Sequence, residues 1–209
     1  MIKMSEKVEA QKFMSEKFLG RLDWFLDKPV NIEFFCGGCC KETDCSELNL
    51  VGRDFIELVG KCHSKFVVKT FLPGVGEVDV QEVKRILIPA NRICDAEVPV
   101  CDPKVQSDED IQLRDRPFEN IRDRIECFWQ DKIVAVEFEC GDCCKKAEFG
   151  KLKFVGIDFI ELTQVDKIPL KVKKFIAGVK KGIEVKLDRV IIPLDNVCSI
   201  ETLESEHCD

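Results

Sequence analysis

The residues best suited to chemistry in this chain are cysteines, and one cysteine pattern occurs twice. The segment NIEFFCGGCCKETD at positions 31–44 returns as AVEFECGDCCKKAE at positions 135–148, with a shared C-G-x-C-C core. Three cysteines recur 104 positions later: Cys36, Cys39 and Cys40 return as Cys140, Cys143 and Cys144. Thiolates bind metal ions such as zinc, and paired thiols form disulfides. The pattern therefore indicates a duplicated domain whose function depends on thiols.

The sequence around each cysteine pattern predicts a tight β-hairpin. Apolar and polar residues alternate before the cysteines, as in Ile32-Glu33-Phe34, and this period of two is typical of a half-buried strand. The next two residues, Gly37-Gly38 in one copy and Gly141-Asp142 in the other, suit a primed hairpin turn. The two cysteines that flank each turn should face each other on the core side. The third cysteine, Cys40 or Cys144, should point outward.

The duplication predicts two domains of about a hundred residues, each beginning with a helix. Segments 1–28 and 116–131 carry apolar residues at helical spacing, and Pro117 in the second suits a first helical turn. Runs rich in β-forming residues follow each hairpin. We expect a first helix and β-domain at 1–98, a polar linker at 99–115, a second helix and β-domain at 116–203, and a polar tail at 204–209.

Charge and composition narrow the range of functions. The net charge is −7 and the pI is about 5.1, which disfavours a nucleic-acid partner because phosphate binding draws on clustered Lys and Arg. The two histidines, His63 and His207, are not repeated, so we expect no enzyme and no catalytic residue. No stretch is apolar for long enough to span a membrane, and the N-terminal segment lacks the apolar run of a secretory signal. We therefore expect synthesis in the cytoplasm and no membrane partner.

Two further motifs recur after the hairpin. G-x-D-F-I-E-L occupies 52–58 and 156–162, and I-P-x-x-x-[IV]-C ends at Cys94 and at Cys198. One helix, a curved hairpin, a strand after G-x-D-F-I-x-L and a last strand pair at I-P-x-x-x-I together resemble the small Sm-like barrel, over about 70 residues of each copy. The resemblance implies a mainly β protein with two short helices. It would consist of two tandem, five-stranded, strongly bent barrels, each preceded by an amphipathic helix.

One hypothesis that follows is a zinc site in each copy. In an Sm-like barrel the last strand pairs with the first, so the resemblance implies that Cys94 lies near Cys36, and Cys198 near Cys140. The thiols would then converge as tetrahedral zinc requires. The ligands would be Cys36, Cys39 and Cys94 in the first copy, and Cys140, Cys143 and Cys198 in the second. Such a protein would be a cytoplasmic zinc-binding module that recruits protein or RNA.

The other hypothesis is a structural protein without a cofactor, joined by disulfides and strand edges. The odd total of thirteen cysteines leaves at least one thiol that is free or bonded to another chain. The cross-link candidates are Cys40, Cys144, Cys45, Cys101 and Cys208. The cysteine hairpin and the order of motifs also resemble cysteine-rich spore coat proteins of Firmicutes, which are made in the mother-cell cytoplasm without a signal peptide. We therefore predict a non-enzymatic protein that self-assembles into a fibre or lattice at a spore surface, with itself and other coat proteins as partners.

Overall fold

A computed structural model describes residues 19–20, 22, 25–44, 46–61, 64–97, 120–141, 143–176, 179 and 182–202. Within these ranges the protein has fifteen β-strands and one α-helix. The prediction of a mainly β protein is confirmed.

The first copy contributes eight strands. Their bounds are β1 Pro29–Cys36, β2 Cys39–Asp44, β3 Ser46–Val51, β4 Phe55–Gly60, β5 Phe66–Leu72, β6 Gly76–Val83, β7 Arg85–Pro89 and β8 Ile93–Glu97. The second copy contributes one helix and seven strands. Their bounds are α1 Ile121–Phe128, β9 Ile133–Cys140, β10 Cys143–Val155, β11 Phe159–Thr163, β12 Leu170–Phe175, β13 Ile183–Leu187, β14 Arg189–Pro193 and β15 Val197–Thr202. The strand order is the same in both copies, with β10 in place of β2 and β3.

Each cysteine pattern forms the predicted hairpin. Cys36 pairs with Cys39 across the first turn, and Cys140 pairs with Cys143 across the second. The first turn residue, Gly37, has a φ of +57°, a conformation that costs glycine little. In β1 every second residue is buried, ending with Cys36. The predicted alternation is therefore confirmed in the first copy, where it packs one face of this strand on the core. In the second copy the prediction that the turn-flanking cysteines face the core is wrong, because Cys140 is exposed and Cys143 is half-buried.

Helix α1 begins after a side-chain cap and not at the predicted residue 116. Asn120 is the N-cap, and its side chain accepts a hydrogen bond from the Asp123 amide at 3.0 Å. The helix is shorter than the predicted 116–131, of which 116–119 lie outside the described residues. Most of the predicted first helix, the linker at 99–115 and the tail at 204–209 also lie outside them, although 19–20 and 22 are helical. Within the described ranges, no helix is long and apolar enough to cross a membrane.

The strands of both copies belong to one open sheet. Its main path runs β13-β12-β10-β9-β15-β7-β4-β3-β1-β2-β5-β6, with β8, β11 and β14 paired beside it. Two separate five-stranded barrels are not confirmed, because β15 pairs with β9 of its own copy on one side and with β7 of the first copy on the other. The copies therefore meet edge to edge.

An apolar core fills each copy, and a small third cluster lies where the copies meet. The first core includes Phe34 and Ile56. The second includes Trp129 and Val136, and it also takes in Phe55 from the first copy. The third cluster is built from four cysteines and two apolar residues: Cys36, Cys39, Cys144, Cys198, Leu72 and Phe175. Contact between the copies thus brings cysteines of both together.

Candidate functional site

The junction, by which we mean the β7–β15 pairing and the side chains around it, joins the two copies. Leu87 lies opposite Ile200, and Ile86 lies opposite Glu201. All six residues of β15 are buried. None of the five residues of β8, the equivalent strand of the first copy, is fully buried. The junction therefore covers the last strand of one copy and leaves the last strand of the other open.

Helix α1 of the second copy docks beside β4 of the first through charged contacts. The Ile121 amide donates to Asp54 Oδ1 at 2.7 Å, so this carboxylate caps the helix N-terminus. Burial raises the pKa of Asp54, although the hydrogen bond from Ile121 opposes that shift. Arg124 donates to both carboxylate oxygens of Glu57, at 2.8 and 2.9 Å, and Arg85 reaches the same carboxylate at 2.8 Å. Glu57 is thus held between an arginine of each copy.

Four charged side chains lie buried under the junction. They are two lysines and two glutamates, none more than 2% exposed: Lys41, Lys146, Glu137 and Glu201. Lys41 comes from the first copy, and its Nζ lies 2.5 Å from Glu137 Oε1 and donates to Thr70 Oγ1 at 2.8 Å. Lys146 Nζ lies 3.3 Å from the same Glu137 oxygen and 3.8 Å from Glu201 Oε2. Buried charges need such partners, and here the two signs offset each other across the copies.

Burial opposes the charge of each of these groups, and their neighbours decide the outcome. Burial acts to lower the pKa of Lys41, but Glu137 and the nearby Cys144 thiol hold that pKa above its usual range. Burial acts to raise the pKa of Glu137, yet Lys41 and Lys146 keep it below its usual range. Glu201 is less compensated, because burial raises its pKa to about 7 against the opposing charge of Lys146. Glu137 is therefore ionised at neutral pH, whereas Glu201 is near its titration midpoint.

Four buried thiols, which we call the thiol cluster, meet beside these charges. They are Cys36, Cys39, Cys144 and Cys198. Hydrogen bonds from Cys36 and Cys39, together with the charge of Lys41, lower the pKa of Cys144 to about 5 although burial opposes this. The bonds to Cys144 raise the pKa of Cys36 and Cys39, and Cys36 also contacts Cys198. The cluster therefore favours ionisation of Cys144 over ionisation of Cys36 or Cys39.

The hairpin tips of the two copies touch at Gly37. A Cβ atom there would lie 3.0 Å from the carbonyl carbon of Cys143. The Gly37 amide donates to Glu139 Oε2 at 3.1 Å, and Arg92 Nη1 lies 2.8 Å from Glu139 Oε1. Glycine is thus required at position 37 both for its positive φ and for this close approach. Its counterpart Gly141 faces open space.

The predicted cross-link residues are placed differently from expectation. The prediction that Cys144 points outward is wrong, because the first copy covers its side of the hairpin. Cys40 is half-buried, and its Sγ donates to Glu33 Oε1 at 2.6 Å. The remaining candidates, Cys45, Cys101 and Cys208, lie outside the described residues.

Of the cysteines suggested as zinc ligands, three meet at the junction and three do not: Cys36, Cys39 and Cys198 are buried together, whereas Cys94 and Cys140 are exposed and Cys143 is half-buried. Cys198, expected beside Cys140, contacts Cys36 of the other copy because β15 is flanked by β7. Cys94, expected beside Cys36, is exposed and lies near Cys40. In the described part of the chain, no three His, Cys, Asp or Glu side chains are arranged so that they could hold a metal ion, and the cysteines found there are free thiols.

The sequence interpretation missed the buried charges at the junction. Lys41 follows Cys39 by two positions in β2, so both lie on the buried face. A lysine on such a face is a signal that an acidic partner is near, but it does not identify that partner. Glu137 lies on the face of β9 that the sequence predicts to be exposed. In the structure it is buried between Lys41 of the first copy and Lys146 of its own copy.

No family model, no curated protein and no solved structure matches this chain. What the protein does must therefore be inferred from the junction and from the edges that it leaves open.

Proposed function

We propose that this protein is a structural component whose chains assemble head to tail. In this assembly β8 of one chain pairs with β14 of the next chain. The supporting observation is the junction, in which β7 and β15 already join two repeats edge to edge. The 104-residue shift relates β7 to β14, and β15 to β8. Among the described residues, β14 pairs only with β11, and β8 pairs only with β1. The chain therefore has a counterpart of each junction strand, β14 for β7 and β8 for β15. Each counterpart has one edge without a partner among the described residues.

The β14 edge carries apolar side chains whose counterparts are covered at the junction. Leu87 is 0% exposed, and its counterpart Ile191 is 58% exposed. Phe154 is 49% exposed, whereas its counterpart Leu50 packs against the core of the second copy. Exposed apolar groups beside an edge strand are typical of a contact surface. Covering Ile191 in the same way would contribute about 1–2 kcal/mol.

The proposed joint would also bring thiols of two chains together. In the thiol cluster Cys144 contacts Cys36 and Cys39, and the repeat shift turns Cys144 into Cys40. Cys40 of one chain would then meet Cys140 and Cys143 of the next. Oxidation of these thiols would cross-link the chains. Cys144, which the sequence predicts as a cross-link residue, would take no part in this bond.

The open edges lack two polar contacts of the junction. Arg124, which holds Glu57, corresponds to Gly20, and Glu139 corresponds to Phe35. A joint between chains would therefore be weaker than the junction, and we expect assembly to depend on concentration. A head-to-tail contact of this kind closes into a ring or continues as a fibre, according to its rotation. The spore surface as its location stays a prediction from the resemblance to coat proteins.

Mass measurement of edge variants in solution tests this function. Wild-type protein in reductant should form multiples of the chain mass that increase with concentration in analytical ultracentrifugation. Ile191→Lys should remain monomeric, because it places a charge in the proposed joint. The matched control Ile168→Lys changes a residue that is 66% exposed in the turn between β11 and β12, and it should assemble like wild type. Wild-type protein that stays monomeric at high concentration, or Ile191→Lys protein that assembles normally, would reject the proposal.

A further inference from the structure

An acidic pocket of about 320 Å³ opens beside the edge strand β8. Its lining contains four carboxylates, one thiol and two other side chains: Glu33, Glu42, Asp95, Glu97, Cys40, Asn31 and Phe71. Within the described part of the chain, no lysine or arginine forms an ion pair with any of the four carboxylates. Such a concentration of negative charge on a concave surface favours a cationic ligand.

The second copy identifies what fills this place. Glu33 and Glu97 correspond to Glu137 and Glu201, which lie buried under the junction. There the space is closed by the other copy, whose Lys41 places its ammonium 2.5 Å from Glu137 Oε1. The pocket is therefore the open counterpart of a site that binds a lysine inside the same chain.

The pocket needs an external cation more than its buried counterpart does. The buried site has its own lysine, Lys146, where the pocket has Glu42, and it has neutral Ser199 where the pocket has Asp95. Both differences add negative charge to the pocket. A ligand that supplies an ammonium group would relieve this repulsion, as Lys41 and Lys146 do under the junction.

We propose that the acidic pocket of one chain binds the side-chain ammonium of Lys145 from a neighbouring chain in the assembly. Lys145 is the counterpart of Lys41. It is half-buried on β10, with its Nζ 5.9 Å from the centroid of the Phe138 ring. The inference rests on the proposed head-to-tail assembly. It names a charged contact that would favour binding of a second chain of the same protein.

The dissociation constant of the assembly, measured by sedimentation equilibrium in reductant, tests the contact. Lys145→Met should weaken assembly by about 30-fold or more, because it leaves the carboxylates covered without a cation. Lys153→Met alters an exposed lysine on the same strand and should change the constant by less than about twofold. Lys145→Arg keeps the charge and should retain most of the affinity. As a reciprocal test, Glu97→Lys should weaken assembly, and combining it with Lys145→Glu should restore part of the loss.

The outcomes separate this contact from the assembly itself. Loss of assembly in Ile191→Lys with an unchanged constant in Lys145→Met would overturn the pocket contact and leave edge pairing intact. Equal weakening by Lys145→Met and Lys153→Met would overturn it too, because a general charge effect would then explain the loss. A wild-type chain that is monomeric throughout would overturn both proposals.

Discussion

Replacing the buried Lys41 with methionine should destabilise the protein far more than losing a surface lysine. Lys41 is fully buried, and its Nζ lies 2.5 Å from Glu137 Oε1 across the junction. Methionine keeps an unbranched, flexible side chain in the same space, so packing is nearly preserved. The substitution therefore leaves Glu137 with one cation fewer and also removes the hydrogen bond from Lys41 to Thr70.

The structure sets the size of this loss. Removing one partner of a buried ion pair costs about 3–5 kcal/mol, because the other charge stays buried. Lys146 lies 3.3 Å from the same Glu137 oxygen and compensates in part, which places the loss near the lower end, about 3 kcal/mol. The matched control is Lys69→Met, whose pair with Asp44 spans 3.1 Å between side chains that are 31% and 43% exposed. That change should cost less than about 1 kcal/mol.

Equilibrium unfolding in urea at pH 7 with reductant measures both losses, followed by the fluorescence of the buried Trp129. The comparison is made at a protein concentration where both variants have the same mass, so that assembly contributes equally. Lys41→Met should lower the unfolding midpoint strongly, and Lys69→Met only slightly, with similar slopes. Equal losses for the two variants would refute the claim that Lys41 stabilises the junction through its charge.

Three further predictions concern the junction. The pKa of Glu201 is raised by burial to about 7, so its ionisation should lower the stability of the wild type as the pH rises from about 4.5 to 7. The stability of Glu201→Gln relative to wild type, measured by urea unfolding, should therefore increase over that range, and a constant difference would contradict this. In native, reduced protein a maleimide should modify the exposed Cys94 in minutes, and its buried counterpart Cys198 only after unfolding. Peptide mapping would measure both rates, and equal rates would show that the thiol cluster is accessible to solvent. Arg124→Met removes two hydrogen bonds from the buried Glu57 while Arg85 keeps its contact with the same carboxylate, so the change should cost about 3 kcal/mol. Thermal or urea unfolding would measure this cost, and a value under about 1 kcal/mol would contradict the docking of helix α1.

The local features that the sequence predicts depend on short-range chemistry. The turn at Gly37-Gly38 needs residues that tolerate positive φ, and the alternation before Cys36 needs one buried face. Both are present in the structure, with Cys36 opposite Cys39. The start of α1 is not one of these features, because Pro117 predicts a start near residue 116 and the helix begins after the Asn120 cap. These features need only neighbouring residues, and so one sequence is enough to predict them.

The arrangement of the site could not be predicted in the same way, because it depends on contact between the copies. The strand pattern of its own hairpin predicts that Cys144 faces solvent, but it is buried in a cluster that includes Cys36 and Cys39 of the first copy. Cys198 was expected to complete a set within its own copy, but the β7–β15 pairing turns it toward Cys36. Strand alternation assigns a residue to a face, and it does not state what packs on that face.

Disulfide mapping in a mixture of isotopically light and heavy chains would test head-to-tail assembly most directly. Equal amounts would be mixed in reductant, allowed to exchange, oxidised with oxidised glutathione and digested. Head-to-tail assembly predicts mixed light–heavy peptides that join Cys40 of one chain to Cys140 or Cys143 of the other, and it predicts their loss in Ile191→Lys. Cys40 linked only within single chains, or mixed peptides that survive in Ile191→Lys, would contradict the joint between β8 and β14.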